Sequence, residues 1–372
     1  MTGNGHEHPA RISRRALLVA APLGAVAACS GPVPVPDRRM VGVGFEDVAA
    51  GTTRLRELAT RLDGAGINEV GIAAGRVDWT LFPASENASW SSDLREAGGR
   101  DLLAEAIATL TASDGSGRRV VLVVDGLAPR IIAEQPDLAG VGAGGESSKE
   151  FPGLVALARG EVGERLISLV GEVARRYRPA AISLTELLFE DTTYGEDDLE
   201  DFRRETGENG WPRTPGGGID TGNELLQRWR CEAMASLVSR CRGAAAPHGA
   251  ELWMEVRAPR NDPGGNRRDS GHDYTLLEGA SDRLVVWDYF GIAPEGSPST
   301  RDLAKALAGR KEGSGVLSVG LWGSGDDPIT PDALKTAVKD AAAGGIGSVW
   351  VTPASLMTDA HWKSLSEVWG PR

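Results

Sequence analysis

Positive charge is in short supply: Lys+Arg number 40 against 52 Asp+Glu, a formal net charge of −12. Such a surplus of acid repels phosphate backbones and anionic headgroups, which excludes nucleic acid as the main partner of the folded body. Cysteine is scarcer still, 3 in 372 residues, and past the N-terminal segment only Cys231 and Cys241 remain. On one helix their spacing amounts to about 15 Å along the axis, too far for a disulfide. They read as small apolar side chains in helix packing. Histidine beyond the N-terminal segment is limited to His248, His272 and His361, on distant segments, which argues against a multi-histidine metal centre. Neither a GxSxG elbow, a GxxxxGK phosphate loop nor an HExxH helix is present. No metal and no cofactor is implied.

Long apolar runs are also missing. The stretch Ala16 to Ala28 is 13 residues, short of the roughly 20 that a membrane-spanning helix needs. Preceded by Arg11, Arg14 and Arg15, it has the build of an export signal. Its end, Val26-Ala27-Ala28-Cys29, resembles the lipobox of bacterial lipoproteins, and that resemblance implies lipidation at Cys29. Arg14-Arg15 after Ser13 is similar to a twin-arginine export signal, with Leu17 where the consensus has Phe. The expected organisation is a signal over 1–28, a Pro-rich, extended tether over 29–38, and one folded body over 39–372. The protein would then be exported and lipid-anchored at the outer face of the cell membrane.

What fills the body is alternation. Strand patterns occur at Met40 to Phe45, Glu69 to Ala74, Val120 to Asp125, Ala181 to Glu186, Glu251 to Arg257, Leu284 to Tyr289, Val316 to Trp322 and Ser348 to Thr352. Helical patterns separate them, among them Thr53 to Leu62, Glu161 to Tyr177 and Pro331 to Ala342. Repeated strand and helix units predict a parallel sheet, and this number of units without a linker predicts a single α/β (β/α)₈ TIM barrel. Segments entering strands are short, whereas those leaving them are long: Gly75 to Gly99, Gly126 to Lys149, Leu187 to Asn223 and Ala258 to Tyr274. The elaborated rim is therefore the C-terminal face of the strands, where barrels place their sites.

Parity assigns the faces. Val41, Val43, Ile182, Leu184, Leu252, Met254, Val256, Val319, Leu321, Val349 and Val351 should point to the helices. The interior set then reads Gly42, Gly44, Glu46, Ser183, Thr185, Trp253, Glu255, Arg257, Ser318, Gly320, Trp322, Ser348, Trp350 and Thr352. Small polar residues with tryptophans in place of branched aliphatics point to a polar, flat ligand. Trp322 and Trp350 near the ends of strands seven and eight can stack on a sugar ring, while Trp253, near its strand's start, reads as packing.

The acidic insertion LFEDTTYGEDDLEDFRRETGENGWPR, the helix start LLQRWRCEAMASLV and the strand ELWMEVR resemble family-10-like glycoside hydrolase barrels of bacterial surfaces, over roughly 40–369. The resemblance implies a (β/α)₈ glycosidase. The chain is also similar to the retaining glycosidase clan, in which Asn-Glu ends strand four and a nucleophilic Glu ends strand seven. Thr185-Glu186 stands at the first place, but strand seven, GVLSVGLWG, carries no acid, and the nearest are Asp326 and Asp327 in the loop.

Glycoside hydrolysis needs two carboxyl groups across the scissile bond. Glu186, Glu255 and Asp288 end strands four, five and six. Glu255 points inward with Arg257 on the same face; Glu186 needs a bulge or twist to do so; Asp288 precedes Tyr289, matching a Tyr in the retaining clan. Glu186 or Glu255 is the expected general acid, with Asp288 or the other Glu as partner. Glu46, Arg257, Tyr289, Trp322 and Trp350 are the expected carbohydrate contacts. His272-Asp273 is a rim-loop pair within reach of a ligand, and the run 190–201, lacking calcium-loop spacing, reads as solvated acid. The expected function is a glycoside hydrolase acting on a cell-wall or extracellular polysaccharide. The alternative is a non-catalytic carbohydrate-binding lipoprotein on a degenerate glycosidase barrel.

Overall fold

A computed structural model describes residues 35–85, 92–111, 117–189, 192–311, 313–325 and 327–370. The export signal, Cys29 and the start of the tether lie outside the described residues. The body is a closed barrel of parallel strands: β1 (Arg38–Val43), β2 (Glu69–Arg76), β3 (Arg119–Asp125), β4 (Ala181–Thr185), β5 (Glu251–Arg257), β6 (Arg283–Asp288), β7 (Gly315–Gly320) and β8 (Ser348–Thr352). Each pairs with the next, and β1 closes the ring by pairing with both β8 and β2. The single (β/α)₈ barrel expected from the alternation is the observed fold. No described helix is long and apolar enough to cross a membrane.

Period-two patterning decides what goes where. Val41, Val43, Ile72, Leu122, Val124, Ile182, Leu184, Leu252, Met254, Val256, Val319, Val349 and Val351 are buried in the layer between strands and helices. Helices meet them with a stripe of their own; Glu161–Tyr177 buries Val162, Leu166, Leu169, Val170 and Val173. The long helix Glu224–Ala245 starts at Asn223, whose side chain accepts the Leu225 and Leu226 amides at 3.0 and 3.4 Å. It carries Cys231 and Cys241, both buried and free.

Inside the barrel, a second apolar cluster of Met40, Val121, Ala181, Trp253, Val285, Val316 and Trp350 forms a floor. β2 sends Gly71 there instead, because a Cβ on Gly71 would lie 2.4 Å from the Trp350 ring. Two indoles and the absence of a side chain on β2 thus close the lower half, leaving the polar half above.

The long loops after the strands are not featureless. The one after β3 folds into a helix, Pro129–Glu134, and an antiparallel pair, Ala139–Val141 with Ser147–Pro152. The acidic insertion forms the helix Glu196–Thr206. Asp198 and Asp201 in it are each 1% exposed, contrary to the solvated run expected from composition. Asp198 accepts the Val155 amide at 2.9 Å, and Asp201 accepts Trp229 Nε1 at 2.9 Å and faces Arg159 at 3.0 Å. Charge in this run therefore serves capping and buried pairing, which a count of acids does not reveal.

Candidate active site at the barrel mouth

Above the floor, the inward residues of β3 to β7 build one polar cluster. Glu255, on β5, lies at its centre, 7% exposed. Its Oε1 accepts Ser183 Oγ at 2.9 Å, and its Oε2 accepts Thr185 Oγ1 at 3.0 Å and Trp287 Nε1 at 2.8 Å. Burial raises its pKa to about 7; the three hydrogen bonds pull the other way and the charge of Glu186 adds to the rise.

Glu186 follows the last residue of β4 and would point to the helices by simple alternation. Its backbone is left-handed, with φ 55°, a conformation uncommon outside glycine. That single residue re-aims the side chain, so that Glu186 lines a cavity of about 560 Å³ with Arg257, Trp287 and Tyr289. Its pKa is pushed up by burial and by Glu150, and held down by Arg257. A strained carboxylate at a strand end is a frequent mark of function.

Trp287 and Tyr289 stack at 5.4 Å with 9° between planes, and Tyr289 meets Trp322 at 4.9 Å. Tyr289 also shares a hydrogen bond with Ser318 of β7. Its ring sits where a Cβ on Gly320 would come within 2.3 Å, so the end of β7 gives up its side chain to the tyrosine. Trp322 is 38% exposed and presents an indole to solvent at the mouth.

A second cavity, of about 390 Å³, has in its lining Thr185, next in the chain to Glu186, and Trp322, in ring contact with Tyr289. It is lined by Gly44, Phe45, Glu46, Ala73, Val123, Asp125, Thr185, Trp322, Pro353, Ser355 and Leu356. Glu46 is exposed, on the short helix Phe45–Ala49 that follows β1. Asp125, the last residue of β3, was not singled out by sequence. Its pKa is raised to about 7 by burial, and the charges of Glu186 and Asp78 add to that. The parity rule that selected Glu255 selects Asp125 equally, since Val121, Val123 and Asp125 share the inward face.

The other expected site residues are placed differently. Trp350 is 3% exposed and belongs to the floor, not to the rim where a sugar could stack on it, because Gly71 opens space for its ring below the mouth. Asp288 shares the outward parity of Leu284 and Val286, is 2% exposed, and accepts a hydrogen bond from Thr300 at the start of helix Thr300–Ala308. Burial raises its pKa to about 6. It touches the wall of the larger cavity, yet its hydrogen bond is to the helix layer. Glu186, Arg257, Tyr289 and Trp322 are brought together, with Glu255 beneath them and Glu46 across the second cavity.

His272 is fully buried, not a rim-loop contact. Its Nδ1 accepts the Arg257 amide at 3.3 Å, so Nε2 carries the proton and donates to the Leu187 carbonyl at 2.8 Å. Burial lowers its pKa to about 4, and the ring stays neutral. Tyr274 donates to the Arg257 carbonyl at 2.5 Å. Together they tie the segment after Glu186 to the end of β5. Among the described residues no group of His, Cys, Asp and Glu suits a metal ion.

No protein-family model and no curated protein matches the chain. Solved structures do. The glycoside hydrolase domain of PgaB (BpsB) from Bordetella bronchiseptica aligns over 91% of this chain and all of its own, with TM-score 0.64 and 14% identity. The catalytic domain of β-amylase from Paenibacillus polymyxa aligns over 91% and 99%, with TM-score 0.61 and 10% identity. The α-L-fucosidase isoenzyme 2 from Paenibacillus thiaminolyticus aligns over 90% of this chain but 49% of its own, with TM-score 0.59 and 16% identity. At such identities the shared feature is the fold: this chain has the (β/α)₈ barrel found in glycoside hydrolases.

Proposed function

We propose that the protein is a glycoside hydrolase acting on a cell-wall or extracellular polysaccharide, exported and held at the outer face of the membrane by lipid on Cys29. The carrying observation is Glu186: a left-handed residue turns its carboxyl into a cavity walled by Arg257, Trp287 and Tyr289. Burial pushes the Glu186 pKa up while Arg257 holds it down, so a carboxyl beside a cation faces the cavity, placed to exchange a proton with a water or a sugar oxygen. The exposed indole of Trp322, backed by Tyr289, offers an apolar face for pyranose C–H groups, and Arg257 in the cavity lining can meet hydroxyls. The likeness to glycosidase barrels supports the same reading.

The test is release of reducing ends from a panel of polysaccharides. Glu186→Gln should lower kcat/KM by about 10²- to 10⁴-fold on whichever polymer the wild type cleaves. Equal rates in the two proteins would remove Glu186 from the chemistry.

A further inference from the structure

If the mouth hydrolyses a glycosidic bond, it needs a second carboxyl, and Glu255 is poorly placed for that part. Both of its oxygens are engaged, by Ser183, Thr185 and Trp287, and it lines neither cavity. It holds Thr185, the residue before Glu186, and Trp287, on which Tyr289 stacks. Glu255 is thus a positioning residue.

Asp125 has what Glu255 lacks. It is 8% exposed, lines the smaller cavity, and pairs in register with Thr185 on the neighbouring strand. Its Oδ1 accepts the Leu127 amide at 2.7 Å, which leaves Oδ2 for the cavity. Glu186 lines one cavity and Asp125 the other; Thr185, the register partner of Asp125, is next in the chain to Glu186, the charge of Glu186 reaches Asp125, and the ring contact of Tyr289 with Trp322 joins the two linings. We propose that Asp125 is the second reacting carboxyl, giving its proton to the departing glycosidic oxygen while Glu186 works from the other cavity. The sugar chain then lies across the mouth with units in both cavities, as an internal segment of a polymer does.

The step balances. The glycosidic C–O bond breaks and its electron pair leaves on the oxygen that takes the Asp125 proton. Water supplies the new bond to the anomeric carbon and passes its proton to Glu186. One water is consumed, and both carboxyls return to their starting state by exchange with solvent. The groups facing Asp125 are Glu186 just past β4, Arg76 at the end of β2, Asp78 just past it, and Glu46 across the cavity. Burial and the charges of Glu186 and Asp78 oppose its ionisation, and the Leu127 amide and Arg76 favour it.

This assignment rests on the hydrolase reading, and one set of assays separates the two. On a polysaccharide cleaved by the wild type, Asp125→Asn should lose about 10²- to 10⁴-fold in kcat/KM and the alkaline fall of the pH profile. On a dinitrophenyl glycoside of the same sugar, whose leaving group needs no proton, the loss should be under about ten-fold. Glu255→Gln should lose activity on both substrates alike and keep the alkaline fall. Polysaccharide cleavage unchanged in Asp125→Asn, or equal losses on the two substrates, overturns the Asp125 assignment alone. A wild type that cleaves nothing in the panel overturns the hydrolase reading, and the assignment falls with it.

Discussion

Two glutamates on β5, Glu251 and Glu255, point into the same barrel and have opposite fates. Glu251, at the foot, accepts Trp253 Nε1 at 2.8 Å and Arg283 Nε at 3.1 Å. Burial works against its ionisation, but these bonds outweigh it and hold its pKa below the usual range. Glu255, four residues further along the strand, has only neutral donors, and burial drives its pKa up to about 7. The foot repeats the pattern at Glu69, which faces Arg38 at 3.7 Å and Arg119 at 3.3 Å, although its deeper burial still raises its pKa. At the foot, arginines face these carboxylates directly. At the mouth burial pushes Asp125 and Glu255 up to about 7 and raises Glu186 as well, an arrangement that disfavours their charged forms and suits groups that move protons.

The sharpest way to break this contrast uses the two tryptophans. Trp350→Ala opens a hole in the floor and should cost about 3–5 kcal/mol, read as a large drop in Tm. Trp322→Ala removes an exposed ring and should leave Tm nearly unchanged while raising KM by about ten-fold for any substrate that stacks on it. Equal Tm losses in both variants would erase the distinction between floor and mouth.

A middle-sized effect is expected at Glu255 itself. Glu255→Gln keeps the shape but disturbs the acceptors for Ser183, Thr185 and Trp287, so Glu186 and Tyr289 lose their support. Displacements of that kind cost on the order of 10²-fold in kcat, with a smaller change in KM. A KM effect alone would show that Glu255 serves binding and not alignment.

The barrel was legible because its code is local. Alternating Val, Ile and Leu set the outward face of each strand, and the observed strands begin and end within two residues of those expected. The inward parity of Glu255 and Arg257 followed from the same rule. Glu186 was legible only as an exception, since a left-handed φ at one residue leaves no pattern in composition. Asp288 was misplaced by the same cause in reverse: β6 keeps its alternation to the end, so the acid stays on the helix side. Trp350 was read from its position in the strand, but its height in the barrel is fixed by Gly71 across the interior, a contact between residues far apart in sequence. Asp125 was overlooked because a lone Asp ending VVLVVD looks like a strand stop. Its significance comes from Glu186 and a cavity, both of which exist only once the ring is closed.

The smallest expected effect is also the most direct comparison of the two β5 glutamates, because it turns on the sign of a slope. Glu251 has a lowered pKa in the folded state, so its contribution is present above about pH 4.5 and is lost as pH falls through the folded value. Glu255 has a raised one, so its contribution is fully present below about pH 4.5 and is lost as pH rises towards 7. Thermal unfolding followed from pH 3 to 8 should therefore change on different limbs in the two variants. Glu251→Gln should flatten the loss of Tm on the acid side, by only a small amount because its side chain is 37% exposed and screened by solvent. Glu255→Gln should flatten the decline between about pH 4.5 and 7, where Asp125 contributes with the same sign. If both substitutions flatten the same limb, the two ends of β5 are electrostatically alike, and the mouth has no special claim on its protons.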